Sequence, residues 1–409
     1  MFTVKRIGEI VNQLSRLRYP DTVPVGGWKM QVRDAESRPD PAVMDGEWTD
    51  VPASAFWGGD QEYRVFAGKA TIPEHFHGKL VEFHLLTGRE GLWDATNPQF
   101  SVYVTGTMRQ GFDTNHTAVR LTEDAVAGTE YDLFLSAFTG TQNFHLQFNA
   151  MLRTVDPVTE KLYYDLLVPW QVISLLNKED SAYLEVADIL TRAINLLDMR
   201  KPGSAAYYRS VEAAEAVLTQ ALYRTPRESE ATICCVGHTH IDVAWLWTLA
   251  VTEDKSIRSF STVLELMKQY PEYRFMSSQP QLYLYVKKNA PEIYEQIRER
   301  IAQGRWEAEG AMFVEADCNL SSGESLVRQI LYGKQFFRQE FGVDNHILWL
   351  PDVFGYSAAL PQIMRKSGLQ YFMTTKISWN GYNKLPYDTF YWKGIDGTKI
   401  LTHFISTRD

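Results

Sequence analysis

Cysteine is scarce in this sequence of 409 residues, which contains three: Cys234, Cys235 and Cys318. Cys234 and Cys235 are adjacent in a predicted strand, so their side chains should point to opposite faces. Three cysteines placed in this way do not make a disulfide framework, and reduced thiols are typical of the cytoplasm. The sequence therefore argues against a small disulfide-stapled secreted protein, and we expect a cytoplasmic location.

Long apolar runs are absent as well. No stretch approaches the roughly 18 consecutive apolar residues of a membrane-spanning helix. The N-terminal region is amphipathic and carries charges throughout, without the apolar central region of a signal peptide. We therefore expect no membrane partner and no secretion.

Positive charge is in deficit. Lys and Arg number 41 while Asp and Glu number 50, so the net charge is 41 − 50 = −9. An acidic surface repels the phosphate backbone of nucleic acids, which argues against nucleic acid as a partner. Aromatic residues, in contrast, reach 13% of the chain and include 11 Trp. This excess suits stacking against sugar rings, but it equally suits a large β-rich core.

The hydrophobic pattern divides the chain into four segments. Residues 1–24 have apolar residues at helical spacing and predict an N-terminal helix. Residues 25–155 contain short alternating runs separated by turn residues, which predicts an antiparallel β-sandwich or jelly-roll-like domain. Residues 156–228 show helical periodicity and predict a helical linker. Residues 229–409 alternate strands with helices, which predicts a catalytic β/α barrel domain that is incomplete at its C-terminus.

The alternation within the last segment implies a parallel sheet with right-handed crossovers. Strands are predicted over residues 231–236, 273–277, 306–314, 346–350, 371–375 and 399–404. Helices are predicted over residues 260–269, 281–303, 323–341 and 360–366. A barrel of the TIM type, or a distorted relative of it, accounts for this order.

The first predicted strand of this segment, residues 231–236, is apolar and partly β-branched, as a buried strand is. His238, His240 and Asp242 follow it at a spacing of two residues. Polar side chains at the C-terminal ends of strands build the sites of α/β barrels, and His nitrogen with Asp oxygen suits a divalent metal such as zinc. Trp245 comes next and offers an apolar floor for a sugar ring. The alternative is that one or two of these histidines only cap the next helix.

Further carboxylates follow later strands. Asp317 comes after the third predicted strand and Asp352 after the fourth, and in a parallel barrel these ends lie on one face. Glycoside hydrolysis requires a pair of carboxylates facing one bond, and the apolar flank of Asp352, which includes Phe354, suits the acid of such a pair. Either Asp could instead cap the next helix. Glu315 competes with Asp317, because residues two apart share a face of an extended strand.

Taken together and in this order, these motifs resemble those of the glycoside hydrolase family 38 α-mannosidases. The motifs are residues 237–242 (GHTHID), 304–307 (GRWE), 315–317 (EAD), 322–329 (SGESLVRQ) and 351–355 (PDVFG). The resemblance covers residues 231–409, and the preceding β domain is similar to that of the cytosolic and bacterial branch. It implies a retaining α-mannosidase with a seven-stranded β/α barrel, acting on terminal α-mannosyl residues of oligosaccharides.

The resemblance also implies roles for particular residues. His240 and Asp242 would be ligands of a divalent metal, for which zinc is the first expectation and cobalt the second. Asp317 would be both the nucleophile and a metal ligand, and Asp352 would be the acid/base. Trp245 would pack under the bound mannose. His238 opens the first motif but is not a ligand in the pattern that the family implies.

This sequence departs from the family pattern at the fourth metal ligand. In the family that ligand is a His on a later strand. Only His346 and His403 lie beyond the first motif, and neither has the expected context. We therefore expect the chain to be the N-terminal portion of a longer enzyme, with that His beyond residue 409. A homo-oligomer remains open.

Two other functions compete with this interpretation. Metal-dependent amidohydrolase-like barrels also begin with a His-x-His motif after their first strand, but they need further His ligands on later strands, in which this chain is poor. A non-catalytic carbohydrate-binding protein, with the β domain carrying the function, is the second alternative.

Overall fold

A computed structural model of the chain describes residues 2–33, 46–52, 55–91, 98–140, 143–223, 233–379, 381–383 and 385–405. It is a mixed α/β protein with two antiparallel sheets, a group of helices and a second half rich in parallel strands. This confirms the mixed class with antiparallel sheets predicted from the sequence. The predicted boundary at residues 228–229 lies outside the described residues.

Eleven strands among the described residues form the two antiparallel sheets. They are β1 (Thr22–Pro24), β2 (Trp28–Arg33), β3 (Thr49–Val51), β4 (Ala55–Gly59), β5 (Tyr63–Thr71), β6 (Leu80–Leu86), β7 (Gln99–Val104), β8 (Thr107–Phe112), β9 (Ala118–Thr122), β10 (Glu130–Phe138) and β11 (Phe144–Val155). The first sheet has the order β1-β11-β6-β9, with β4 also paired to β11, and the second has the order β3-β2-β5-β10-β7-β8.

The two sheets share one hydrophobic core. In β11 the residues alternate between buried and solvent-facing positions, as a strand with one face on a core requires. Phe148 of the first sheet stacks on Phe66 of the second, with ring centroids 4.4 Å apart. Trp28 reaches across to Phe83 at 5.8 Å. Burial of each such ring stabilises the fold by about 1.5–3 kcal/mol, so this core accounts for part of the aromatic excess.

Four helices form a second core. They are α1 (Phe2–Leu17), α2 (Pro157–Leu175), α3 (Ser181–Asn195) and α4 (Ala205–Leu218), the last continued by a π-helical turn, Thr219–Tyr223. Helix α2 begins at Asp156, whose carboxylate accepts hydrogen bonds from the backbone of Val158 and Thr159. Leu14 of α1 and Leu166 of α2 are both buried in this core, so the N-terminal helix joins the helices that follow the sheets.

The second half alternates strands and helices. The strands are β12 (Gly237–His238), β13 (Phe275–Ser277), β14 (Trp306–Ala308), β15 (Ile347–Trp349), β16 (Tyr371–Thr374), β17 (Thr389–Lys393) and β18 (Lys399–Phe404). The helices are α5 (Leu249–Gln269), α6 (Pro280–Asn289), α7 (Pro291–Ala302), α8 (Gly323–Phe341) and α9 (Leu360–Lys366). Across the described ranges, none of the helices has the length and apolar character to cross a membrane.

The pairing in this half is parallel except at its last strand pair. Strands β12, β13 and β14 are parallel neighbours, as are β15, β16 and β18, whereas β17 is antiparallel to β18. A parallel bridge between Gly310 and Leu348 connects the two groups. The carboxyl ends of these strands therefore point toward one side, where the polar loops after β12 and β15 meet.

The N-terminal helix predicted over residues 1–24 ends at Leu17, and Thr22–Pro24 form β1, which pairs with β11. In the second half, three predicted elements differ from the structure. The strand predicted over residues 231–236 is wrong where it is described: the chain pairs only at Gly237–His238, and Ile233 is 85% exposed. The reason is that the ladder begins where β13 begins: Gly237 lies opposite Phe275, and the chain before Phe275 turns at Tyr270–Tyr273. The helix predicted over 281–303 is interrupted at Pro291, which lacks the N–H needed to continue it.

The third difference is the strand predicted over residues 306–314, which ends at Ala308. Gly310 and Ala311 follow with φ values of 132° and 64°. Both values lie outside the β region, so the strand cannot continue through them. The change of direction carries the chain into the loop that contains Glu315 and Asp317.

Helix α5 packs against the second antiparallel sheet. Arg258 donates to the side chain of Gln99, and the Thr262 hydroxyl accepts from the backbone N–H of Gly111 at 3.1 Å. Arg109 forms an ion pair with Glu265, whose side chain is 6% exposed. These contacts fix α5, and with it the loop between β12 and α5, relative to the sheets.

Gly333 provides a test of the packing behind the loop that follows β14. A Cβ on Gly333 of α8 would lie 1.9 Å from the carbonyl oxygen of Ala311. We expect Gly333→Ala to lower the free energy of unfolding by about 1–3 kcal/mol through overpacking, although Ala is intrinsically the better helix former. Gly323→Ala, in the same helix with open space around it, is the matched control and should not destabilise. Urea unfolding measures both, and equal stabilities of the two variants would contradict the close packing.

Candidate metal centre and active site

The loop after β12 carries the first two candidate ligands, His240 and Asp242. Gln279 holds this loop by donating its side-chain amide to the carbonyl of Ile241 at 3.0 Å. The Thr252 hydroxyl, at the start of α5, accepts from the backbone N–H of Ala244 and donates to the carbonyl of Asp242. The loop is thus tied to the ends of both β13 and α5, which orients its side chains.

His240, Asp242 and Asp352 form a compact group. The Nε2 of His240 lies 3.2 Å from Oδ1 of Asp242 and 3.9 Å from Oδ2 of Asp352. Each of the three offers one ligand atom, and these atoms all lie within 4.8 Å of one another. Asp352 belongs to the loop after β15, so two strand ends that are 110 residues apart (352 − 242) in sequence meet here.

Lys376 stands beside Asp352. Its ammonium donates to Oδ1 of Asp352 at 2.6 Å, and its side chain is only 7% exposed. The same ammonium lies 4.2 Å from the ring centroid of Phe354 and 3.4 Å from that of Trp379. A cation between two aromatic faces is held in place by both. Lys376 follows β16 by two residues, so the strand-end argument used for the aspartates could have found it.

Glu315 lies on the other side of His240. Its Oε2 is 2.8 Å from Nδ1 of His240, although the two are not aligned as a hydrogen bond, and its side chain is 4% exposed. Burial alone would lower the pKa of His240, but the carboxylates of Asp242 and Glu315 outweigh it and raise that pKa to about 10. The surroundings of this imidazole therefore favour a positive charge.

Asp317 lies in the loop between β14 and α8, and it is exposed. Its Oδ1 accepts from the backbone N–H groups of Asn319 and Leu320 at 2.8 and 2.7 Å. Among the described residues the three-residue group contains Asp352 and not Asp317. The position of Asp317 as a ligand and nucleophile therefore stays a prediction.

His238 and Trp245 flank the group. Trp349 donates its indole N–H to Nε2 of His238 at 3.1 Å, and burial, followed by the charge of His240, lowers the pKa of His238 to about 4. That nitrogen is thus already engaged by a donor. Trp245 is 54% exposed and meets Trp247 edge to face, with centroids 5.3 Å apart. An exposed indole of this kind has a free face for an apolar ligand surface.

The residues present fit a divalent metal. An imidazole nitrogen and two carboxylate oxygens from separate loops converge, as in three-ligand catalytic zinc sites. The nearby carboxylates of Asp242, Asp352 and Glu315 outnumber the cationic group of Lys376, so a bound cation would balance charge. The buried Glu315 next to the far nitrogen of His240 matches the carboxylate that commonly backs a metal-ligating His.

Comparison with known proteins places this half of the chain in a family. Residues 230–408 match the glycosyl hydrolases family 38 N-terminal domain. These residues belong to glycosyl hydrolase family 38. The family 38 domain contains His240, Asp242, Asp317 and Asp352, so the candidate site falls within the matched region.

Curated relatives agree with the family 38 match. The chain is 50% identical over 177 residues to alpha-mannosidase G of Dictyostelium discoideum, covering 43% of this chain and 16% of that protein. It is 34% identical over 355 residues to human alpha-mannosidase 2C1, covering 83% of this chain and 33% of that protein. An alpha-mannosidase of Saccharomyces cerevisiae is 46% identical over 169 residues, covering 41% and 16%. The chain thus spans a third or less of the length of these relatives.

The ion pair beside the family 38 site is open to a direct test. We expect Lys376→Met to lower the free energy of unfolding by about 1–2 kcal/mol, because Asp352 loses its charged donor and two rings lose a cation. Urea unfolding followed by tryptophan fluorescence measures this change. Lys393→Met, at an exposed lysine of β17, is the control and should stay within about 0.5 kcal/mol of the unaltered protein. A Lys376→Met variant as stable as this control would show that the pair contributes nothing.

Proposed function

We propose that this chain is the catalytic N-terminal part of a metal-dependent retaining α-mannosidase that removes terminal α-mannosyl residues from oligosaccharides. The observation that carries the proposal is the convergence of His240, Asp242 and Asp352 within the region that matches family 38. The names of the relatives support α-mannosides as the substrate class.

We infer a domain organisation that serves this activity. Residues 25–155 are a β-sandwich, because two antiparallel sheets share one core. Residues 156–228 are a helical linker, and residues 229–409 are the catalytic domain, which begins a seven-stranded β/α barrel. The parallel strand order and the Gly310–Leu348 bridge support a continuous curved sheet.

Zinc is the proposed metal, with cobalt as the alternative. His240 and Asp242 would hold it together with Asp317, as the family resemblance implies, while Asp352, which lies in the same group, keeps the acid/base role. The cation would supply Lewis-acid coordination of neighbouring sugar hydroxyls. Mannose presents O2 and O3 as a cis pair, which distinguishes it from glucose at such a site. Trp245 covers the apolar face of the ring.

The two carboxylates divide the chemistry between them. Asp317 attacks the anomeric carbon, and the glycosidic bond breaks as Asp352 gives a proton to the departing oxygen. Water then releases the sugar from Asp317 while Asp352 takes the proton of that water. Asp352 can carry this proton on Oδ2, because its other oxygen, Oδ1, still accepts from Lys376.

Metal affinity distinguishes the roles of the two aspartates. We expect Asp317→Asn to weaken zinc binding by at least tenfold if Asp317 is a ligand, because an amide oxygen carries no charge to match the cation. Asp352→Asn is the paired variant, and Asp396→Asn, at a solvent-facing turn, is the control. Isothermal titration with zinc gives the three dissociation constants. Full zinc affinity in Asp317→Asn with a loss in Asp352→Asn would assign the third ligand to Asp352 and refute the acid/base role.

Product stereochemistry tests the mechanism itself. We expect proton NMR, recorded early in the reaction of the full-length enzyme with an aryl α-mannoside, to show the α anomer of mannose first. Retention requires the two carboxyl groups to lie about 5–5.5 Å apart, whereas inversion leaves about 6.5–9.5 Å for a water. If the β anomer forms first, the enzyme inverts and the assignment of Asp317 as nucleophile is wrong. A non-catalytic binding protein would release no mannose.

A further inference from the structure

We infer that Glu315 is a positioning residue, which acts through His240 and presents the Nε2 of that ring to the metal. The inference rests on the proposed metal function and turns the contact between Glu315 and His240 into a testable role. The geometry that carries it is a buried carboxylate facing one nitrogen of an imidazole whose other nitrogen faces the ligand group.

The two nitrogens of His240 have different neighbours. Nδ1 faces Oε2 of Glu315 at 2.8 Å, while Nε2 faces Oδ1 of Asp242 at 3.2 Å and Oδ2 of Asp352 at 3.9 Å. Glu315 therefore lies across the ring from the point where the ligand atoms converge. This placement separates it from the ligands themselves, and among the described residues it is not part of the three-residue group.

Glu315 is itself held in place. Ser278 donates its hydroxyl to Oε1 of Glu315 at 2.7 Å, which leaves Oε2 for the ring. The backbone N–H of Glu315 donates to the side-chain oxygen of Gln279 at 3.2 Å. Because Gln279 also binds the carbonyl of Ile241, the end of β13 fixes the carboxylate and the ligand loop together.

The facing polar atoms of His240 and Glu315 can satisfy each other's hydrogen bonding. Oε2 of Glu315 and Nδ1 of His240 are both buried, and neither has an aligned hydrogen bond among the described residues. A buried polar atom without a partner is destabilising, and a small rotation would align this pair. A proton on Nδ1, shared with Glu315, leaves the lone pair of Nε2 free for a metal.

Zinc affinity of the metal-free chain tests this role. Loss of a carboxylate behind a metal-ligating His weakens metal binding by about 10–100-fold. We expect Glu315→Leu to fall in this range and Glu315→Gln to lose less, because an amide oxygen still accepts from Nδ1. In proton–nitrogen NMR of the zinc-bound chain, the signal of the Nδ1 proton of His240 should shift in Glu315→Leu, because its carboxylate acceptor is gone.

Glu309 supplies the matched control. It is also a buried glutamate after β14, but its carboxylate accepts from the backbone N–H groups of Gly310, His346 and Ile347, away from His240. Glu309→Gln should lower the free energy of unfolding and leave zinc affinity within twofold of the unaltered protein. A purely structural role of Glu315 would give the same result as Glu309→Gln, and that outcome would overturn the inference.

A His240→Ala variant distinguishes a failure of the positioning role from a failure of the metal function. If His240→Ala loses zinc binding while Glu315→Leu and Glu315→Gln retain it fully, the positioning role fails and the metal function stands. If His240→Ala binds zinc as well as the unaltered protein does, the metal function fails and the positioning role fails with it. A larger loss of zinc affinity in Glu315→Leu than in Glu315→Gln, together with the shifted proton signal, supports the inference.

Discussion

Negative charge concentrated around one imidazole is the constraint on which the rest of the site depends. Asp242, Asp352 and Glu315 come from three different loops and lie next to His240. Like charges at such distances repel unless a cation or a proton stands between them. The fold therefore has to hold three loops against this repulsion, and Lys376 offsets only part of it.

The scaffold meets this constraint by tying loops to rigid elements. Gln279 and Ser278, at the end of β13, bind the backbone and the carboxylate that surround His240. Helix α5 begins at the end of the same ligand loop and is anchored to the antiparallel sheet through Arg258 and Thr262. The β domain therefore contributes to the site indirectly, because it fixes the helix that fixes the loop.

Much of this arrangement could be predicted from sequence. The strand-end rule for parallel sheets brought Asp352 to the loop of His240 and Asp242, and the structure places the three together. The same rule could not rank Asp317 against Glu315. It predicts the edge of the sheet at which a loop lies, but not the direction in which each side chain of that loop points. In the structure Glu315 points to His240, while Asp317 caps the turn at Asn319. Strand lengths were overestimated where Gly310 and Ala311 leave the β region.

The sequence alone determined the mixed class, the change from antiparallel to parallel architecture and the ligand types, because periodicity and residue chemistry are local properties. Only the tertiary structure decided which carboxylates meet, that Lys376 lies between Phe354 and Trp379 beside Asp352, and which side of His240 each acid occupies. These depend on how loops far apart in the chain turn after their strands. That direction is set by packing against neighbouring elements, and no local pattern encodes it.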